Sequence, residues 1–263
     1  TAWYYARYRP GYSHELFRLL YEKFSLNRSS RVLDLGCGTG QIALPMAPYV
    51  GEVIAVDPQE EMLAEARSQA ATAGIKNISW LSGESGNLPG MAAVIGKVNL
   101  TVIARAFHWM DKEKTLEDLY ALTRPGGGVA VVSDSDPPDS PELPWKAVVS
   151  QTVRRWLGEE RKAGTEGTYS HPAIRFEEFL KASSFKGLET TEIHLERNWS
   201  IDQITGYLYS TSYASVPVLG DKRAPLEAEI RMHLQELEPS GVFTEQVTIQ
   251  VMMVWKPIIK RQI

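Results

Sequence analysis

Three glycines at alternate positions, Gly36, Gly38 and Gly40, follow an apolar run of Val32, Leu33 and Leu35, and an acid, Asp34, stands two residues before the first of them. Glycine lacks a Cβ, so the backbone there can turn sharply and let a ligand lie against it. A second acid, Asp57, closes the next apolar run, Gly51 to Asp57. A carboxylate at a strand end can accept two hydrogen bonds from a ribose diol. A dinucleotide loop places a helix N-terminus under a pyrophosphate, where the carboxylate of Asp34 would be repelled. An acid beside the glycines suits instead a cationic ligand with a free ammonium group. Histidine as a residue type has an ordinary pKa near neutrality, so His108, in Arg105-Ala-Phe-His108-Trp-Met-Asp111, is a candidate general base. The same histidine could equally fix its loop by hydrogen bonding or position a substrate.

These residues must be carried by alternating strands and helices. Val98 to Ala104 reads as a strand buried on both faces, and ligands in open α/β sheets bind beyond the carboxyl ends of the strands. The remaining expected elements are strands at Val32–Leu35, Gly51–Asp57, Ile78–Leu81, Val129–Ser133, Phe185–Asn198 and Val247–Trp255. Helices are expected over Ser13–Phe24, Gln41–Tyr49, Glu60–Ala73, Lys112–Leu122, Leu143 to about Tyr169, Arg175–Ser183 and a stretch capped by Ser200. Pro45 fits only near the first turn of its helix. Ile201, Ile204, Tyr207 and Leu208 are expected to face inward, as are Leu226, Ile230, Leu234 and Leu237. Arg124-Pro-Gly-Gly-Gly128 reads as a tight turn.

Asp34-Leu-Gly-Cys-Gly-Thr-Gly40 with Asp57 resembles the class I S-adenosylmethionine-dependent methyltransferases, in particular the small-molecule branch that includes type 11 and trans-aconitate methyltransferases. Gly83-Glu84-Ser85, Ala-Phe-His108-Trp and the Pro-Gly-Gly before the fifth strand are similar to further motifs of that family. The resemblance covers Trp3 to Ser133 well and the rest loosely. It implies an α/β, Rossmann-like doubly wound seven-stranded sheet with an antiparallel last strand and helical cap insertions. It also implies S-adenosylmethionine as cofactor, S-adenosylhomocysteine as product, and methyl transfer to a small organic acceptor. By resemblance, Asp34, Gly36, Gly38 and Gly40 hold the amino acid part, Asp57 the ribose, and Met62, Glu84 and Ser85 the adenine, with Cys37, Pro58 and Ala104 as further cofactor-binding positions. Met62 reads equally as core, and Ser85 replaces the usual alanine. Tyr4 and Arg9, in an aromatic segment ending Arg-Pro-x-Tyr, would reach the cofactor from a lid, or else simply cover an apolar surface. Tyr12, Phe107, His108, Trp109, Tyr209 and Tyr213 are expected to line the acceptor pocket.

The expected organisation is one domain over residues 1–263: a lid (1–30), a cofactor-binding core (31–133) and two cap insertions (134–175 and 199–240). Arg154, Arg155, Trp156, Tyr169 and His171 are cap candidates, with a solvated helix face as the alternative for the arginines. Asp111, Asp134 and Asp136 raise a magnesium site, set aside because proline-aspartate clusters are ordinary loop composition. No metal is expected. A net charge of −4 argues against a nucleic acid held by phosphate contacts. The single cysteine, Cys37, excludes an internal disulfide and reads as a small packed residue rather than a nucleophile. No apolar run approaches the ~20 residues of a membrane span, and no signal-peptide pattern is seen. A cytoplasmic monomer or homodimer is therefore expected. Two rival functions share some of these features: binding S-adenosylmethionine for non-methylating chemistry, and nicotinamide-dependent dehydrogenation. An adenosyl-sensing interaction protein is a third.

Overall fold

The computed structural model describes residues 1–135, 142–158, 162–163, 167–168 and 176–258. Seven strands form one sheet: β1 (Arg31–Leu35), β2 (Glu52–Asp57), β3 (Ile78–Ser82), β4 (Val98–Ala104), β5 (Thr123–Ser135), β6 (Lys186–Ser200) and β7 (Val242–Trp255), in the order β3-β2-β1-β4-β5-β7-β6. A separate two-residue ladder pairs 162–163 with 167–168. The first five strands pair in parallel. β7 is antiparallel to its neighbours: Gly126 N–H donates to Lys256 O, and Lys256 N–H to Gly127 O. Side-chain bonds pair Asn198 with Thr244, Glu196 with Gln246 and His194 with Thr248, an opposed register between β6 and β7.

The chain divides into two compact units. The sheet unit takes residues 11–135, 173–193 and 249–263. It carries β1 to β5, the adjoining parts of β6 and β7, and helices α2 (His14–Lys23), α3 (Ala43–Met46), α4 (Glu60–Thr72), α5 (Leu88–Ile95), α6 (Lys112–Leu122) and α8 (Phe176–Ala182). Val32 to Leu35 and Val53 to Asp57 are buried throughout, as parallel strands covered on both faces must be. Leu33, Leu35, Ile54, Val56, Ile103 and Val131 join Leu116, Leu119 and Phe185 in one core. Each such side chain withdrawn from water contributes about 1.5–3 kcal/mol before entropy is charged against it.

The helical unit takes residues 1–10, 136–172 and 194–248. Its helices are α1 (Ala2–Tyr8), α7 (Pro144–Leu157), α9 (Ile201–Tyr209), α10 (Val216–Leu219) and α11 (Arg223–Leu237). Trp145, Trp199, Leu208, Leu226, Ile230 and Phe243 form its core. Ser200 and Gln203 cap α9 reciprocally. The side chain of Tyr8 packs where a Cβ on Gly206 would stand, so α1 and α9 touch through a glycine gap. Trp156 Nε1 and Arg155 both bind Glu229, joining α7 to α11.

Several elements differ from expectation. The helix expected over Gln41–Tyr49 is one α-turn, Ala43–Met46, running into a 3-10 turn. α5 was not anticipated because Leu88-Pro-Gly-Met carries two helix-breaking residues; Pro89 is tolerated in the first turn. β5 begins at Thr123, but its pairing jumps from Val98↔Thr123 to Leu100↔Gly128, so Arg124 to Gly127 still loop out. α7 ends at Gly158, whose φ of +87° stops a helix. Leu237 is exposed rather than inward, at the frayed end of α11. Asp136, Tyr169, His171 and Arg175 lie outside the described residues. Among the described residues no helix is long and apolar enough to cross a membrane.

Candidate functional site

The glycine loop joins β1 to α3 with Gly36, Gly38 and Gly40 all at positive φ, +77°, +52° and +83°. A Cβ on Gly36 would stand 2.5 Å from the Cβ of Ala106, and one on Gly40 3.0 Å from the Trp80 ring. Both glycines are thus required twice, by the backbone and by the neighbouring wall. The loop's N–H groups turn inward. Gly36 and Cys37 donate to Val56 O at 2.8 and 3.0 Å, Gly38 to Asp57 Oδ2 at 2.8 Å, and Gly40 to Cys37 O at 2.9 Å. A pyrophosphate loop must aim such groups at the anion. Here they are spent within the protein, which disfavours a dinucleotide and agrees with the charge argument from Asp34.

Asp34 is almost wholly buried and accepts from Ala43 N–H at 3.0 Å. Burial, with the Asp57 carboxylate adding to it and the Ala43 N–H opposing, pushes its carboxyl up to about 8. Asp57 binds both the loop, through Gly38, and its own strand end, through Gln59 N–H at 2.9 Å. Each carboxylate oxygen has a second lone pair, so these bonds orient Asp57 without exhausting it. Burial raises the Cys37 thiol well above its ordinary range, with both acids adding to the effect, which makes it a packed thiol and not a nucleophile. Pro58 is exposed at the end of β2, Met62 is half-buried on α4, and Leu63 takes the core position beside it. Glu84 is exposed and forms a reciprocal cap with Asn87 over a 3-10 turn that starts at Ser85. Ala104 ends β4 opposite Val132.

The rim after β4 is a 3-10 turn, Phe107–Trp109. His108 and Trp109 are exposed, with ring centroids 4.9 Å apart. Lys112 Nζ donates to the carbonyls of His108 and Met110, at 3.1 and 2.9 Å, and so fixes the turn. Asp111 caps α6 by accepting from Lys114 N–H. The expectation that Phe107 lines the acceptor pocket is corrected: its ring is 1% exposed and packs edge-on against Phe176 in the core. A 3-10 turn spaces successive side chains about 120° apart, so with Phe107 turned into the core His108 and Trp109 reach the surface.

Tyr4, Arg9, Tyr209 and Tyr213 belong to the helical unit. Tyr4 OH accepts from Arg223 at 2.9 Å and its ring meets Tyr209 edge-on at 5.3 Å. Arg9 donates to Ser210 Oγ and Tyr207 OH, at 2.8 and 3.0 Å, with its guanidinium over the rings of Tyr5 and Tyr207. Tyr209, expected in the acceptor pocket, is instead 3% exposed and donates to Glu227 at 2.5 Å. Burial and the Glu227 carboxylate both raise its phenol. Tyr213 is half-buried against the same core.

One residue of the rim went unassigned in the sequence. Arg105 has φ +52°, a left-handed conformation that costs a residue with a Cβ about 1–2 kcal/mol. Its Nε and Nη2 both donate to Asp134 Oδ1, at 3.0 and 2.7 Å, and its guanidinium covers Tyr12 at 4.8 Å. Asp111 and Asp134, two of the acids considered for a metal, are thus a helix cap and an arginine partner. No sequence signal marks an arginine for the left-handed region, since glycine or asparagine is the usual choice.

A methyltransferase-domain family model matches residues 32–127. An uncharacterised methyltransferase of Schizosaccharomyces pombe is 25% identical over 95% of this chain and 91% of its own length. A probable S-adenosylmethionine-dependent methyltransferase of Saccharomyces cerevisiae is 28% identical over 48% of this chain and 43% of its own. Among solved structures, a protein of Anaeromyxobacter dehalogenans assigned as a type II methyltransferase superposes with a TM-score of 0.60 at 25% identity, covering 94% of this chain and 96% of that one. A Haemonchus contortus phosphoethanolamine N-methyltransferase, solved with S-adenosylhomocysteine and phosphomonomethylethanolamine, shares the fold at a TM-score of 0.54 and 16% identity, over 98% of this chain and 57% of that one. With the strand order, the antiparallel last strand and the glycine loop already described, these matches support a class I S-adenosylmethionine-dependent methyltransferase, with residues 32–127 carrying the methyltransferase-domain match.

Proposed function

We propose that this protein transfers a methyl group from S-adenosylmethionine to a small organic acceptor, and that the rim of the sheet unit holds the cofactor. The observation that carries this reading is the buried, cation-poor pair Asp34 and Asp57 beside a glycine loop whose N–H groups face inward. That pair of acceptors suits an ammonium and a ribose, and does not suit a pyrophosphate. Gly36, Cys37, Gly38 and Gly40 shape the wall against the amino acid part. Met62, Glu84 and Ser85 border the adenine, with the Ser85 backbone N–H as donor to the ring, and Pro58 and Ala104 are further positions proposed to touch the cofactor.

When bound, the sulfonium supplies an already activated methyl carbon for in-line displacement. What this chain must add is alignment and exclusion of water, and positioning alone is worth ~7–11 kcal/mol. Tyr12, His108 and Trp109 are the sheet-unit residues proposed to meet the acceptor. His108 would take the acceptor's proton if that group is a phenol, alcohol or carbon acid; a carboxylate needs no base. The lid role of Tyr4 and Arg9 is a separate proposal, tested by the effect of Arg9→Ala on cofactor affinity.

Calorimetric titration with S-adenosylhomocysteine, beside NAD, in wild type and Asp57→Ala tests the assignment. Micromolar binding of the former alone, weakened by the substitution, supports it, and a labelled-methyl screen then identifies the acceptor. Binding of NAD alone would overturn it. Binding of S-adenosylhomocysteine without transfer to any acceptor would favour the non-methylating alternative.

A further inference from the structure

Two chain connections of the sheet unit have their roots close to one side chain. The chain enters the unit at Gly11 and leaves it after Ser135. Tyr12 is one residue past the first crossing, and Asp134 one residue before the second. Both are gripped by Arg105, Asp134 through two N–H donors and Tyr12 through the guanidinium face. The arginine side chain is largely buried, 18% exposed against 45% for Asp134. Arg105 N–H also donates to Val132 O at 2.8 Å, which ties the same residue to the body of β5.

The backbone of Arg105 has a second consequence. Its left-handed turn is followed at once by Ala106, the residue that presses on Gly36 of the glycine loop. Met110, at the far end of the rim, stands 3.5 Å from the same Cβ position on Gly36. The loop proposed to hold the cofactor and the turn that presents His108 and Trp109 are therefore in van der Waals register through Arg105. A planar guanidinium with several donors is suited to fixing three segments at once; a lysine ammonium has one centre and no face to stack.

We propose that Arg105 is the positioning residue of this rim, holding the roots of both connections through Tyr12 and Asp134 while its turn seats Ala106 on the glycine loop. The inference rests on the cofactor reading above for its effect on affinity, but not for its effect on the rim itself.

Arg105→Gly is the informative variant, because glycine keeps a left-handed backbone without steric cost while the guanidinium is removed with the rest of the side chain. Arg105→Lys and Asp134→Asn complete the set. In ligand-free protein, Arg105→Gly is expected to lose amide hydrogen-exchange protection at residues 12–14 and 132–135, with Arg105→Lys partly restoring it. S-adenosylhomocysteine should bind Arg105→Gly on the order of tenfold more weakly, a typical coupling between linked sites. Asp134→Asn should weaken binding less, and should add nothing further in the double variant. Unchanged exchange at both segments would overturn the proposal. So would a lowered Tm with cofactor affinity unchanged, since that describes a merely structural bond. If the wild type does not bind S-adenosylhomocysteine, the cofactor reading fails, and the ligand-free exchange comparison alone decides the role of Arg105.

Discussion

Both units bury acids, and Glu245 in the helical unit and Asp34 in the sheet unit are treated in opposite ways. In the helical unit Glu245 bonds to Lys146, accepts from Trp199 Nε1 at 2.7 Å and lies 3.8 Å from Arg197. In the sheet unit Asp34 accepts one backbone N–H, and the charge that perturbs it most is another acid, Asp57. A buried carboxylate matched by cations is a finished structural device. One left beside a second carboxylate is destabilising by itself, and such perturbed groups cluster at functional sites. The difference supports the proposal that the sheet unit holds the cofactor.

The sharpest way to break that contrast is to remove each acid in turn. Glu245→Ala leaves Lys146 and Arg197 without their carboxylate and should cost about 3 kcal/mol of stability, read by denaturant unfolding, with S-adenosylhomocysteine affinity unaffected. Asp34→Asn should do the reverse: cofactor affinity lost by roughly a hundredfold, about 2.7 kcal/mol, with stability at neutral pH unchanged or raised. Equal losses of stability in both variants would erase the distinction.

The pH dependence sharpens it further. The Asp34 carboxyl titrates near 8 when folded, above its unfolded range, so the native state binds more protons between the two. Stability from this group is therefore fully present at low pH and declines as pH rises toward 8, opposite to a salt-bridged acid. Thermal unfolding from pH 5 to 8.5 should show that slope in wild type and not in Asp34→Asn. Binding a ligand ammonium favours the ionised carboxylate, so cofactor affinity should rise with pH over the same window. An affinity independent of pH would count against an ammonium at Asp34.

Two smaller effects separate the units again. Gly206→Ala forces a methyl against the Tyr8 ring and should cost about 1–3 kcal/mol by overpacking, measurable as a lower Tm. His108→Ala, at an exposed rim position, should leave both stability and S-adenosylhomocysteine affinity unchanged while lowering transfer to an acceptor that must lose a proton. A large loss of cofactor binding in that variant would place His108 in the cofactor site or the fold.

Much of the sheet unit was legible before folding. Buried parallel strands such as Val98–Ala104 read as continuous apolar runs, and the glycine spacing at Gly36, Gly38 and Gly40 has few other uses. The core placement of Phe107 and Tyr209 was not, because an aromatic residue has the same composition signal whether it fills a core or faces a ligand. The roles of Trp145, Trp199 and Glu245 were equally hidden, since their partners lie far apart along the chain.

By itself, then, the amino-acid order determined the alternation of strands and helices and the sharp glycine turn after the first strand, while the sheet order was implied by the family resemblance. The first two follow from periodicity and glycine's missing Cβ, both local properties. Only the tertiary structure decided which aromatics are buried, that Arg105 would adopt a left-handed backbone, and that its guanidinium would join Tyr12 to Asp134. Those outcomes depend on which residues distant in sequence meet in space, and on surrounding contacts strong enough to hold one residue against its own preference.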